Sequence, residues 1–214
     1  MNLEWYIIWN FRHEILSGLV VTAELSALAI VGSTIVGVLL GCLSTMPSFF
    51  VRKICNSYVE LMRNIPVVVK LFFMHFIIGF DAFFSAVVGL ILHQSAYIAD
   101  VTAAGIRSVP QGQTEAARSC GHNYLQVFRY ILIPQAVRFV IPPMTTQYIQ
   151  VVKNSAVALL IAIEELTFQT QWIEHKTFRG FEAATAVTLV YLMVVLVIAA
   201  IMSGVQHYVN RRWP

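Results

Sequence analysis

Charge is scarce in this sequence. Of its 214 residues, 12% are Asp, Glu, Lys or Arg, about half the roughly 25% usual in soluble domains. A soluble domain of this length would lack the charge to cover its surface. Disorder goes with low hydrophobicity and high net charge, whereas this chain is 58% hydrophobic with a net charge of +3. So small a net charge gives no support to nucleic-acid binding. The three cysteines, Cys42, Cys55 and Cys120, show no metal-ligand spacing. There is no G-x-x-x-x-G-K-S/T, so the chain cannot hold ATP in the usual way, and His13-Glu14 lacks the second His that a zincin helix needs at Ser17. No G-x-S-x-G nucleophile elbow is present, and no nucleophile–base pair is visible, so the chain is not expected to be an enzyme. What it has in quantity is apolar length, with a mean hydropathy of +0.72. The class is an all-α polytopic membrane protein.

A helix crosses the hydrocarbon core with about 20 mostly apolar residues. Five stretches are expected to do so, at about 15–43, 58–80, 82–106, 139–163 and 183–206. The second carries Lys70 and the fourth carries Lys153 and the pair Pro142-Pro143, where a break is tolerated if neighbours satisfy the freed backbone. The first apolar run is far longer than a signal h-region and is preceded by Glu14, so no cleaved signal peptide is expected. Basic residues set the orientation. Arg52, Lys53, Arg63, Arg107, Arg118, Arg129, Arg138, Arg211 and Arg212 gather on one side, against Arg12, Lys176 and Arg179 on the other. The rich side should be cytoplasmic. That puts the N-terminus outside, the C-terminus inside, and the acidic segment from Glu164 to Glu182 outside.

The connection at about 107–138 is too long for a simple helix link, and it has the grammar of helices. Pro110 opens it, Gln113, Glu115, Ala116 and Ala117 follow, and Gly121 breaks the run. Asn123 suits an N-cap for a second stretch, Tyr124 to Ile133, ended by Pro134. Glu115 is expected in a first turn, where a carboxylate is favoured. Two short helices joined at Gly121 then lie across the membrane face. They form either an interfacial amphipathic element or a docking element for a soluble partner.

The run Glu115-Ala116-Ala117, then Gly121, then Ile131 and Ile133-Pro134 resembles the EAA signature of ABC importer permeases, with Ile133 where Leu is usual. Tyr58 to Pro66, Ala96 to Asp100, Lys153 to Leu159, Glu165 to Gln169 and Phe178 to Glu182 extend the resemblance toward polar amino-acid permeases, nearest the glutamate/aspartate type. The resemblance implies a type I permease fold in a bacterial inner membrane, with one permease domain over 1–214. It implies that Glu115, Ala116, Ala117 and Gly121 couple to a cytoplasmic ATPase dimer, which binds ATP and Mg, while this chain binds no cofactor. It also implies an extracytoplasmic amino-acid-binding protein and a second permease, related or identical. The alternative is an ATP-independent secondary transporter or channel subunit, which would be expected to carry inverted repeats; no span motif recurs.

Ionisable groups at membrane depth face cavities or partners. Lys153, Asn154 and Ser155, with Gln147 upstream, are candidates for a substrate cavity in which an ammonium and amides bind carboxylates. The other reading is a contact with a partner subunit, or Lys153 paired with Asp100. Tyr97 and Asp100 share a helix face with His93. They either line the pathway, with Asp100 holding a substrate ammonium, or form an interhelical bond. His93 alone reads as a core histidine, and Glu24 and Lys70 receive no role.

Overall fold

The computed structural model describes residues 3–212, and all regular structure among them is helical. Helix α1 (Tyr6–Asn10) leads into α2 (Arg12–Ser44), α3 (Phe49–Asn64) and α4 (Val67–Phe72), which runs on as a π-turn over Phe73–Ile77. Then come α5 (Ala82–Arg107), α6 (Gln111–Ser119), α7 (Tyr124–Val127), a π-turn over Phe128–Leu132, and α8 (Ile133–Ser155). A 3-10 turn over Ala156–Ile161, α9 (Leu166–Thr177) and α10 (Gly180–Arg212) complete the chain. By length and composition, α2, α5 and α10 are long and apolar enough to cross a membrane. Their outer faces carry Val31, Ile35, Leu39, Leu192, Leu196 and Ile201, all exposed, as suits a surface that meets lipid or another subunit.

Local chemistry sets the breaks. Pro66 has no N–H to give the Met62 carbonyl, and Ile65 before it is extended (φ −89°, ψ 128°), so α3 stops there. The stretch expected at 58–80 is therefore two helices. Asp81 caps α5 by accepting from the Phe84 N–H at 3.0 Å. Asn123 caps α7, and its backbone N–H donates to the Gln126 side chain at 2.9 Å, closing a capping box. Three expectations need correction. Pro134 does not end a helix; it lies in the first turn of α8, which follows directly on the π-turn over Phe128–Leu132. The helix also continues unbroken through Pro142 and Pro143. Glu115 sits in the second turn of α6, because that helix starts at Gln111.

Helix α5 is the centre of the fold, packed most closely on α2 and next on α8. On α2, Ser33, Gly37, Gly41 and Ser44 form a buried stripe with a spacing of three to four. A Cβ on Gly37 would lie 2.6 Å from Ile98 and 2.7 Å from the Ser95 carbonyl. The two backbones meet because there is no side chain between them. One apolar core joins Leu25 and Ala29 of α2 to Leu71, Ala86, Leu90, Val151 and Ile161. A second fastens α9 beneath α10 through Leu166, Ile173, Ala183 and Val187. A third, of Ile106, Val109, Phe128 and Ala136, supports α6 and α7.

Candidate functional site

Between α5 and α8 lies a cavity of about 300 Å³, lined by His93, Gln94, Tyr97, Thr146, Gln147, Gln150 and Asn154. On α8 the positions 146, 147, 150 and 154 fall on one face of a 3.6-residue repeat, and on α5 the positions 93, 94 and 97 do the same. Their side chains are polar without charge: four carboxamides, a hydroxyl, a phenol and an imidazole. Each carboxamide carries two donors and an acceptor. The Gln94 amide donates to the Gln147 Oε1 at 2.6 Å and ties the two helices together. Gln150 is exposed and its side chain makes no hydrogen bond among the described residues, so its amide is free for a ligand. The chemistry available is reversible binding of a small polar molecule, with no bond made or broken.

Toward the C-terminal end of α5 the cavity is bounded by charge. Arg63 of α3 donates to Asp100 at 2.6 Å, and its guanidinium lies 5.3 Å from the Tyr97 ring centre. The candidates from sequence therefore separate. Tyr97, Gln147 and Asn154 line the cavity. Asp100 pairs with Arg63, not with Lys153. Lys153 lies on another face of α8, lining a mostly apolar pocket of about 400 Å³ with Thr188, Tyr191, Leu192 and Val195 of α10. Ser155 is fully buried and donates to the Val152 carbonyl at 2.7 Å.

Sequence reasoning missed Lys70. It is 5% exposed, and its ammonium donates to the carbonyls of Met62 and Ile65, at 2.5 and 2.9 Å. It replaces the N–H that Pro66 lacks. Its third neighbour is the His93 Nδ1, at 2.8 Å. Glu24 is exposed on α2.

Beyond the C-terminal end of α5, Tyr124 donates to the Thr45 carbonyl at 3.2 Å and pins the α6–α7 element to the end of α2. Glu115 and Ala116 are exposed on α6, Ala117 is buried, and Gly121 is exposed with φ +86°. Leu125 and Tyr130 stand out from the same element, 67% and 66% exposed. The α6–α7 element thus presents Glu115, Ala116, Gly121, Leu125 and Tyr130 at its surface.

Over residues 33–213 the chain matches the family described as the inner membrane component of binding-protein-dependent transport systems. The chain belongs to this family. Among its relatives, the glutamine transport system permease protein GlnP of Escherichia coli (strain K12) is 30% identical over 214 residues, covering 97% of this chain and 98% of that protein. The glutamate/aspartate import permease protein GltJ of the same strain is 32% identical over 212 residues, covering 91% and 86%. The crystal structure of an amino acid ABC transporter with histidines superposes with a TM-score of 0.88 at 29% identity, covering 97% of this chain and 100% of that one. The fold is that of an ABC importer type I permease, and such family members are transport components rather than enzymes.

Proposed function

We propose that this chain is the membrane permease subunit of an ATP-driven importer for a polar amino acid. The α5–α8 cavity lies on the substrate path, and the α6–α7 element receives the ATPase. One observation carries the reading: a polar, uncharged cavity of amino-acid size lies between two long helices, one of which continues directly into α6–α7. The five crossings are α2, α3 with α4, α5, α8 with its 3-10 turn, and α10. The N-terminus lies outside and the C-terminus in the cytoplasm of a bacterial cell. Five crossings are too few to enclose a path alone, so a second permease, related or identical, completes it. The ATPase dimer that binds ATP and Mg docks through Glu115, Ala116, Ala117 and Gly121. A binding protein delivers the substrate from outside.

The substrate is of the glutamate, aspartate or glutamine kind, since relatives named for glutamine and for glutamate/aspartate are about equally similar. The carboxamide lining favours a side chain that both donates and accepts, which fits glutamine. The glutamate/aspartate reading came from the resemblance of several segments, and the cation it offered for a substrate carboxylate, Lys153, lines a different pocket. Uptake of labelled glutamine, glutamate and aspartate into vesicles holding the whole transporter ranks the three.

Gly121→Asp tests the coupling assignment. No heavy atom lies within 4 Å of a Cβ there, and Asp is among the few residues that adopt a positive φ. The permease should therefore insert and assemble, while ATP hydrolysis no longer drives uptake. Normal uptake in this variant would remove the assignment.

A further inference from the structure

The cavity holds no charged side chain of its own, yet a buried cation stands directly behind its wall. Lys70 is 5% exposed, and the ion pairs among the described residues are Arg63–Asp100, Arg179–Glu4 and Arg179–Glu182. None includes Lys70. A buried charge without a counter-ion is costly. The ammonium donates to carbonyls at the C-terminal end of α3, where a cation is favoured. An ammonium has three protons and accepts nothing. With two given to Met62 and Ile65, the third goes to the His93 Nδ1, 2.8 Å away. The ring nitrogen that accepts this bond carries no proton, so the imidazole proton sits on Nε2. His93 lines the cavity, and its Nε2 has no hydrogen-bond partner among the described residues. His93 therefore brings one N–H donor to the cavity wall, with the Lys70 ammonium on the far side of its ring.

We propose that His93 binds the α-carboxylate of the transported amino acid, and that Lys70 is a positioning residue that fixes the His93 proton on Nε2 and supplies the charge. The proposal rests on the reading of the α5–α8 cavity as the substrate path. It accounts for a cavity suited to both glutamine and glutamate relatives: the α-carboxylate is common to both, and the carboxamides are left for the side chain. It also moves the carboxylate-binding cation from Lys153 on α8 to Lys70 on α4.

The test is binding to the permease–ATPase complex in nanodiscs, without the binding protein, so that only the permease discriminates. Calorimetric titrations compare L-glutamine with its α-carboxamide, which lacks the carboxylate. The wild-type complex should prefer the free acid by about 10- to 100-fold, the range for a hydrogen bond to a charged group. Lys70→Gln keeps N–H donors for the Met62 and Ile65 carbonyls but removes the charge. His93→Phe keeps the ring but removes the donor. Each should bring the ratio close to one; a purely structural role would weaken both ligands alike and leave the ratio unchanged. If Lys70→Gln does not assemble, His93→Phe decides alone, since Phe fits a half-buried ring position. A wild-type ratio near one, or a wild-type ratio retained in either variant, overturns the proposal. The transport reading fails separately, if the wild-type complex with its binding protein accumulates no polar amino acid in ATP-loaded vesicles. In that case the nanodisc ratio still decides the anchor.

Discussion

Helix α5 meets α2 and α8 in opposite ways. Against α2 the contact is backbone on backbone. Gly37 and Gly41 leave no room for a Cβ beside Ile98, Ser95, Ala99 and Thr102, and the seam is buried along its length. Against α8 the same helix stands off far enough to leave a cavity of about 300 Å³ lined by polar side chains, bridged by the Gln94–Gln147 hydrogen bond. Small residues make a seam that cannot slide without clashes, since packed interiors resist continuous deformation. Long amides make a seam that can exchange its own hydrogen bond for one to a ligand. A transporter needs both kinds: a rigid body that moves as one, and a face that opens. The α2–α5 pair has the build of the first, and the α5–α8 face that of the second.

Substitutions on the two seams should therefore fail differently. The largest effect belongs to the dry one. Gly37→Leu drives a side chain into Ile98 and the Ser95 carbonyl, at a cost of about 3 kcal/mol or more. The complex should lose most of its assembled fraction in size-exclusion chromatography and melt well below the wild type. An intact, active Gly37→Leu protein would show that the seam is not rigid. On the wet side, Gln150→Leu removes an amide that has no hydrogen-bond partner among the described residues. Its melting temperature should stay near the wild type, while the KM for uptake rises by about 3- to 10-fold, one neutral hydrogen bond of about 1 kcal/mol. The smallest effect is expected at the rim. The Arg63 and Asp100 side chains are 43% and 53% exposed, so Arg63→Ala should change stability by less than about 1 kcal/mol. Thermal denaturation of the purified complex checks this. A larger loss would make the rim part of the scaffold.

Much of this division was legible in the sequence, and the rest was hidden for physical reasons. The apolar stretches fall within α2, α5 and α10, the last of which runs six residues beyond its expected end at 206, because a continuous hydrophobic run has few other fates. Gly121 and Asn123 marked the turn and cap correctly, because positive φ and N-capping are local demands. Helix α9 escaped notice inside the segment from Glu164 to Glu182, although Glu165 accepting from the Phe168 N–H at 2.9 Å and the buried Leu166, Gln169 and Ile173 are a capped helical pattern. Its buried stripe includes a polar residue, Gln169, and its outer face includes an exposed aromatic, Trp172, so the apolar and polar sides are blurred in sequence.

The site was half visible. Gln147, Asn154 and Tyr97 fall in the cavity because helical spacing alone brings them to one face. Lys153 and Ser155 were grouped with Asn154 by adjacency, but neighbours in a helix point about 100° apart and reach different surroundings. Asp100 shares a face with Tyr97, yet its partner Arg63 comes from another helix, which no local pattern reveals. Lys70 was the least legible. Its role depends on a carbonyl freed by Pro66 four residues earlier and on His93 on a different helix, and only the folded chain joins the three.

The central claim, that the polar α5–α8 face is the substrate path, is tested most directly by thiol protection. In a background lacking Cys42, Cys55 and Cys120, single cysteines replace Gln150 in the cavity and Thr188 in the α8–α10 pocket. The rate of labelling by a water-soluble thiol reagent is measured in the assembled transporter, with and without L-glutamine or L-glutamate. Protection by an amino acid at position 150, with position 188 indifferent, is the predicted result. Labelling at 150 that ignores both ligands, or protection at 188 in its place, would contradict it.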